Sequence, residues 1–136
     1  PSNVASVLGA LDVMQTEPEW IERLHKNAEY ALKGLSQLGF NTGPTQTPIV
    51  PIILGNDLST IRLWKGLFEA GAYTNPVLSP AVPPGGQRLR TSYMGTHKRE
   101  HIDRVLDAFE RVGKSLGIIG AEEEAPMKVR ASAHVG

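Results

Sequence analysis

Cysteine is absent from all 136 residues, which excludes a disulfide framework, thiolate metal sites and a cysteine nucleophile, and fits a reducing compartment. Neither sign of charge dominates. Fourteen basic and fourteen acidic residues cancel, so whole-chain electrostatics give no attraction toward nucleic acid or an anionic membrane. No apolar run approaches the roughly 20 residues that span a bilayer. The opening residues also lack the basic-then-apolar order of a signal peptide. The expectation is a soluble, cytoplasmic protein whose partner is a small molecule or another subunit. The length suits one domain with one core. The chain begins at Pro1-Ser2-Asn3 with no initiator Met and runs almost at once into a helical pattern, which reads as a cut or processed polypeptide.

Apolar residues then recur at helical spacing. Val4, Leu8, Leu11 and Met14 mark a first helix capped by Ser2 or Asn3. Thr16-Glu17-Pro18-Glu19 has the form of a capping box that opens a second helix, with the stripe Trp20, Leu24, Ala28, Ala31, Leu35 and Leu38 and a stop at Gly39. Thr47 to Leu54 reads as a strand, and Pro51 within it argues for an edge. Gly55-Asn56-Asp57 makes a turn and cap for a third helix with Ile61, Trp64, Leu67 and Phe68 inward, ending near Gly71. Ala72 to Leu78 is a candidate strand, whereas Asn75 through Gly86, with Pro76, Pro80, Pro83 and Pro84, reads as an ordered loop.

Gln87 to Met94 alternates, with Leu89, Thr91 and Tyr93 on one face and Arg88, Arg90 and Ser92 on the other. A last helix carries Ile102, Val105, Leu106, Phe109, Val112 and Leu116 and stops at Gly117. The Glu122-Glu123-Glu124 run and the small residues after it suggest a mobile tail over 121–136. The predicted fold class is α+β, a small, partly antiparallel sheet covered by helices. The two N-terminal helices offer more apolar surface than three short strands can bury, so one of them is expected to dock on polypeptide absent from this chain.

Three constellations carry candidate chemistry. His97-Lys98-Arg99-Glu100-His101 fits the H-x-x-E-H pattern of inverted zinc peptidases. Such sites need a further carboxylate on another element downstream, and only one helix and a tail follow. The plainer reading has His97 bonding local backbone at a helix entry and His101 solvated. Arg88-Leu89-Arg90 offers planar forks of donors that match a carboxylate in bidentate fashion, each aimed by the strand's pleat; a surface ion pair is the ordinary alternative. The loop from Pro76 to Gly86 is stiff and apolar enough to wall an acyl channel, or is a simple crossover. The residues alone supply no nucleophile, general base or phosphate cradle.

In order and spacing, Thr47-Pro48-Ile49-Val50-Pro51-Ile52, Asn75-Pro76-Val77 to Val82-Pro83, Arg88-Leu89-Arg90-Thr91-Ser92 to Thr96-His97, and Ile102-Asp103-Arg104 together resemble the C-terminal part of the α-oxoamine synthases. These are pyridoxal-phosphate (PLP) dependent acyltransferases that include 8-amino-7-oxononanoate synthase, 2-amino-3-ketobutyrate CoA ligase and serine palmitoyltransferase. The resemblance covers roughly residues 1 to 119. It implies the small domain of a fold type I (aspartate-aminotransferase-type) enzyme over 1–120, its first helix linking to a large PLP domain outside this chain, in a homodimer. It implies condensation of an amino acid with an acyl-CoA, release of CoA and usually CO2, and Arg90 as the clamp on the amino-acid carboxylate. The Schiff-base lysine would precede Pro1, so no catalytic residue lies here and the chain alone should be inactive. Met94-Gly95-Thr96-His97-Lys98-Arg99 departs from the family's usual residues around this His, leaving Thr96 to cap the last helix. Two other readings share the scaffold: an aminotransferase small domain and a free-standing, non-catalytic binding domain.

Overall fold

The computed structural model describes residues 2–120; the tail expected over 121–136 lies outside them. The elements run α1 (Ser2–Thr16), α2 (Glu19–Gln37), β1 (Ile49–Ile53), α3 (Asp57–Glu69), β2 (Asn75–Val77), β3 (Arg88–Ser92) and α4 (Arg99–Ser115). That is the order the sequence predicts. The sheet order is β1-β3-β2. Both pairings are antiparallel, so the sheet described is wholly rather than partly so.

Pro51 sits mid-strand in β1 and Pro76 mid-strand in β2, and both strands are edges. A residue without an N–H is tolerated there because one side of the strand needs no donor. The same allowance corrects the reading of Asn75 onward as loop: Asn75, Pro76 and Val77 pair with Arg90, Leu89 and Arg88, and irregular backbone begins only after Val77.

Alternation fixes which way the sheet faces. Val50, Ile52, Leu89 and Thr91 are buried, and their neighbours along each strand are exposed or half-buried. Helices α2 and α3 pack on this buried face, and α4 packs on both helices. Leu35, Leu63, Leu67, Ile102 and Phe109 complete the core at essentially zero exposure. No described helix covers the opposite face.

Three local expectations are corrected. Thr16 ends α1 instead of capping α2, and its hydroxyl donates back to the Asp12 carbonyl at 2.8 Å; Pro18 is the N-cap, with no side-chain cap. Thr96 does not cap α4 either. The N-cap is Lys98, whose backbone N–H donates to His101 Nδ1 at 3.3 Å. In α3 the buried stripe is Thr60, Leu63 and Leu67, with Ile61 and Phe68 exposed. The helix is apolar on more than one side, and close packing against α4 selects the side bearing Gly66. By contrast Asn56 caps α3 as expected, its Oδ1 accepting from Ser59 N–H at 2.8 Å, a contact of about 1 kcal/mol.

Gly66 tests that packing. A Cβ built there would lie 2.5 Å from Val112 Cγ1, and a buried, β-branched valine cannot swing aside cheaply. Overpacking costs roughly 1–3 kcal/mol, against about 1 kcal/mol of helix propensity gained by alanine. Gly66→Ala is therefore expected to lower stability by about 1 kcal/mol net in urea unfolding, and adding Val112→Ala should relieve the overlap. A stabilised single variant would show that α3 and α4 are not this close.

Helix α1 stands apart from the core. None of its residues is buried, and Val4, Val7, Leu8 and Met14 are each more than half exposed. This is the unsatisfied apolar surface that the sequence predicts.

Candidate functional site

The sheet face left open by the described helices holds an arrangement that fits ligand recognition. Directly paired residues in an antiparallel sheet project to the same side. Arg90 therefore shares this face with Pro51 of β1 and Asn75 of β2, and with Arg88 and Ser92 of its own strand. Ile49, Ile53 and Val77 surround them, so the guanidinium stands in a mostly apolar setting.

The two arginines are in different states. Arg88 is half-buried and its Nε donates to the Gly86 carbonyl at 2.7 Å, which ties it to the preceding turn. Arg90 is exposed and makes no ion pair or side-chain hydrogen bond among the described residues. Its fork is free to take an incoming carboxylate in bidentate geometry. Among the described residues no local ion pair accounts for Arg90 as a surface residue.

The segment from Gly71 to Thr74, the end of β3 and the start of α4 enclose a second feature, a cavity of about 400 Å³. Thr74, Thr91, Tyr93, His97, His101 and Ile102 help line it. The Thr74 and Tyr93 hydroxyls are buried there with no partner, and burial pushes the Tyr93 phenol's pKa up. The turn leading into α4 is pinned by Asn27, whose Nδ2 donates to the Met94 carbonyl at 2.9 Å and to the His97 carbonyl at 2.8 Å. Gly95 admits the close approach of α2, since a Cβ there would meet the Trp20 carbonyl at 2.7 Å. Tyr30 adds a further tie from α2 to α4, donating to Asp103 at 2.6 Å. That hydrogen bond, and then burial, raise the phenol's pKa. Asn27 and Tyr30 were missed in the sequence, where nothing marks a polar residue on a helix as bonded about 70 residues away.

Both histidines of the H-x-x-E-H match are engaged by local backbone. His97 Nδ1 accepts from Met94 N–H and His101 Nδ1 from Lys98 N–H, each at 3.3 Å. No group of three or more metal-ligating side chains occurs among the described residues. His97 bonds local backbone as expected, and burial, then the nearby His101, lower its pKa. His101 is about half exposed but is also held by backbone, so it is not simply solvated.

The described residues do not themselves form a PLP site. Lys26, Lys33, Lys65 and Lys114 lie on helices and are exposed in i,i+4 pairs with Glu22, Glu29, Glu69 and Glu110. Lys98 is the exposed N-cap of α4. None belongs to the strands that carry Arg90. What the face offers among the described residues is an exposed guanidinium with no lysine beside it.

Residues 1–109 match the family model of class I and II aminotransferases. Over 119 residues the chain is 40% identical to an 8-amino-7-oxononanoate synthase of Symbiobacterium thermophilum, covering 88% of this chain and 30% of that protein. Over 118 residues it is 42% identical to a serine palmitoyltransferase of Sphingobacterium spiritivorum, covering 87% and 30%. The chain thus spans about 30% of the length of these curated relatives. Among solved structures, a serine palmitoyltransferase from S. paucimobilis with a bound PLP–myriocin aldimine superposes with a TM-score of 0.79 at 33% identity, over 85% of this chain and 30% of that one. A second, described as SPT with PLP internal aldimine, gives 0.75 at 34% identity over 79% and 27%. No described helix is long and apolar enough to cross a membrane. The α+β unit built around Arg90 belongs to the class I and II aminotransferase family, with PLP-dependent α-oxoamine synthases as its relatives.

Proposed function

We propose that this chain is the small, substrate-clamping domain of a PLP-dependent acyltransferase that condenses an amino acid with an acyl-CoA. The observation that carries the proposal is the exposed guanidinium of Arg90, unpaired among the described residues, on a sheet face with no described helix over it. A face that mixes apolar side chains with such a guanidinium suits closure by further polypeptide around an amphipathic anion. In the net reaction the amino acid's α-carbon bonds to the thioester carbonyl carbon and the carbon–sulfur bond breaks. One proton is taken up, CoA leaves as the thiol, and the carboxylate leaves as CO2.

Arg90 serves such a reaction by orientation. Held through its carboxylate, an amino acid presents its α-carbon at a fixed distance from the sheet, and fixing a reactant in this way removes part of the entropic barrier. The apolar surroundings strengthen the ion pair once water is excluded. PLP and its lysine would reside on a large domain outside this chain, as part of a cytoplasmic homodimer, and α1 would pack against that domain.

The test uses the complete enzyme with PLP, a panel of amino acids and acyl-CoA esters, and a thiol reagent. Thiol release that requires both an amino acid and an acyl-CoA is expected. The family description favours one other reading, an aminotransferase. That reading gains if the amino group passes to an oxo acid and no thiol appears, and the acyltransferase proposal is then wrong.

A further inference from the structure

We infer that Asn75 is a second substrate-contacting residue, whose carboxamide donates to the same amino-acid carboxylate that Arg90 binds; this rests on the acyltransferase reading above. Asn75 is the direct cross-strand partner of Arg90. Side chains so paired stand about 4.5–5.5 Å apart at Cβ, on the same face. Asn75 is half-buried, and its amide makes no side-chain hydrogen bond among the described residues.

Other neighbours of Arg90 do not compete for this role. On the β1 side the partner is Pro51, which has no donor at all. Along β3, Arg88 is occupied by the Gly86 carbonyl. Ser92 stands two residues along the strand and faces Ile49 across the pairing. Asn75 alone faces Arg90 directly with a free N–H pair.

Two sequence features sharpen the inference. Asparagine is depleted in strands because its side chain competes with the backbone for hydrogen bonds, yet here it occupies a strand and its side chain bonds none of the described residues. Pro76 follows it, and a residue before proline is confined to extended backbone. The Asn75 backbone is therefore held extended, which keeps its Cβ on the face shared with Arg90. Together a fork of N–H groups from one strand and an amide N–H from the next can satisfy both carboxylate oxygens, fixing the tilt of the substrate as well as its position.

The test measures amino-acid Kd by absorbance titration of the complete PLP-loaded enzyme, with glycine, L-alanine and L-serine as probes, alongside KM and kcat. In the wild-type enzyme, the Asn75 side-chain amide resonance should move on saturation with glycine and not with methylamine, which lacks the carboxylate. Asn75→Ala should raise Kd about tenfold, the scale of one hydrogen bond to a charged group. It should leave the acyl-CoA KM nearly unchanged. Asn75→Asp, which is nearly isosteric and therefore folds alike, should weaken binding by roughly a hundredfold or more, because it repels the substrate and pairs with Arg90 instead. Asn75→Gln should retain part of the affinity. Unchanged Kd in Asn75→Ala, or an equal rise in the KM of both substrates, overturns the inference. Arg90→Ala separates the two levels: if it weakens the amino acid while Asn75→Ala does not, only the role of Asn75 falls. Unchanged binding in Arg90→Ala removes the carboxylate clamp itself.

Discussion

Replacing Arg90 with alanine in the complete enzyme lowers kcat/KM for the amino acid by about 30-fold to several thousandfold and leaves PLP content unchanged. The range follows from the cost of removing one member of a hydrogen-bonded charge pair in a desolvated setting, roughly 2–5 kcal/mol, at a factor of ten for each 1.4 kcal/mol. The lower end applies if the face stays wet after the rest of the enzyme closes over it, since water screens the pair. Arg90→Lys recovers only part of the loss, because an ammonium is a point charge and cannot reproduce two parallel N–H bonds. Steady-state kinetics at several fixed acyl-CoA concentrations make the check. The acyl-CoA KM should not move with the amino-acid KM. An Arg90→Ala enzyme with ordinary amino-acid dependence would mean that this guanidinium, although free and exposed here, serves no substrate.

Most of what places Arg90 is legible in the sequence because it depends on short-range rules. The alternation from Arg88 to Ser92 sorts the strand's faces, and a period of two leaves no other solution once Leu89 and Thr91 are inward. Glycines at the predicted stops, Gly39, Gly71 and Gly117, adopt the left-handed backbone that ends each helix. Errors concentrate where a competing contact, local or tertiary, outbids a sequence motif. Thr16 has the right spacing for a capping box, but α1 continues through it and its hydroxyl turns back to Asp12. The N-cap of α4 is Lys98 rather than Thr96, with His101 accepting from its N–H, and the turn before it is pinned from α2 by Asn27. The face of α3 is misjudged for a related reason: Ile61, Trp64 and Phe68 are as apolar as Leu63 and Leu67, and only the approach at Gly66 decides between them. The pairing of Arg90 with Asn75 is invisible in sequence, since it requires strand order and register that no local pattern encodes.

Phe109→Ala should be the most damaging substitution in the core. Phe109 is fully buried on α4, and its ring meets Phe40 edge-on with centroids 5.4 Å apart. Phe40 follows the turn at Gly39 that returns the chain from α2 toward β1, so this contact closes the α2 end of the helix layer onto α4. Truncating a buried phenylalanine costs about 3–5 kcal/mol through lost transfer energy and the cavity left behind, with roughly 1 kcal/mol more from the aromatic pair. For a domain of this size that is a large share of a stability on the order of 5–15 kcal/mol. In urea, where small domains unfold with slopes of about 1–3 kcal/mol per molar, the midpoint should fall by at least 1 M. Phe109→Leu should retain more than half of the lost stability because it refills most of the volume. The variant also bears on the site. Helix α4 packs on α2 and α3, which in turn support the strands bearing Arg90 and Asn75, so loosening it should weaken amino-acid binding without removing any group that touches the substrate. A Phe109→Ala midpoint equal to the parent's would mean that α4 is not seated on this core.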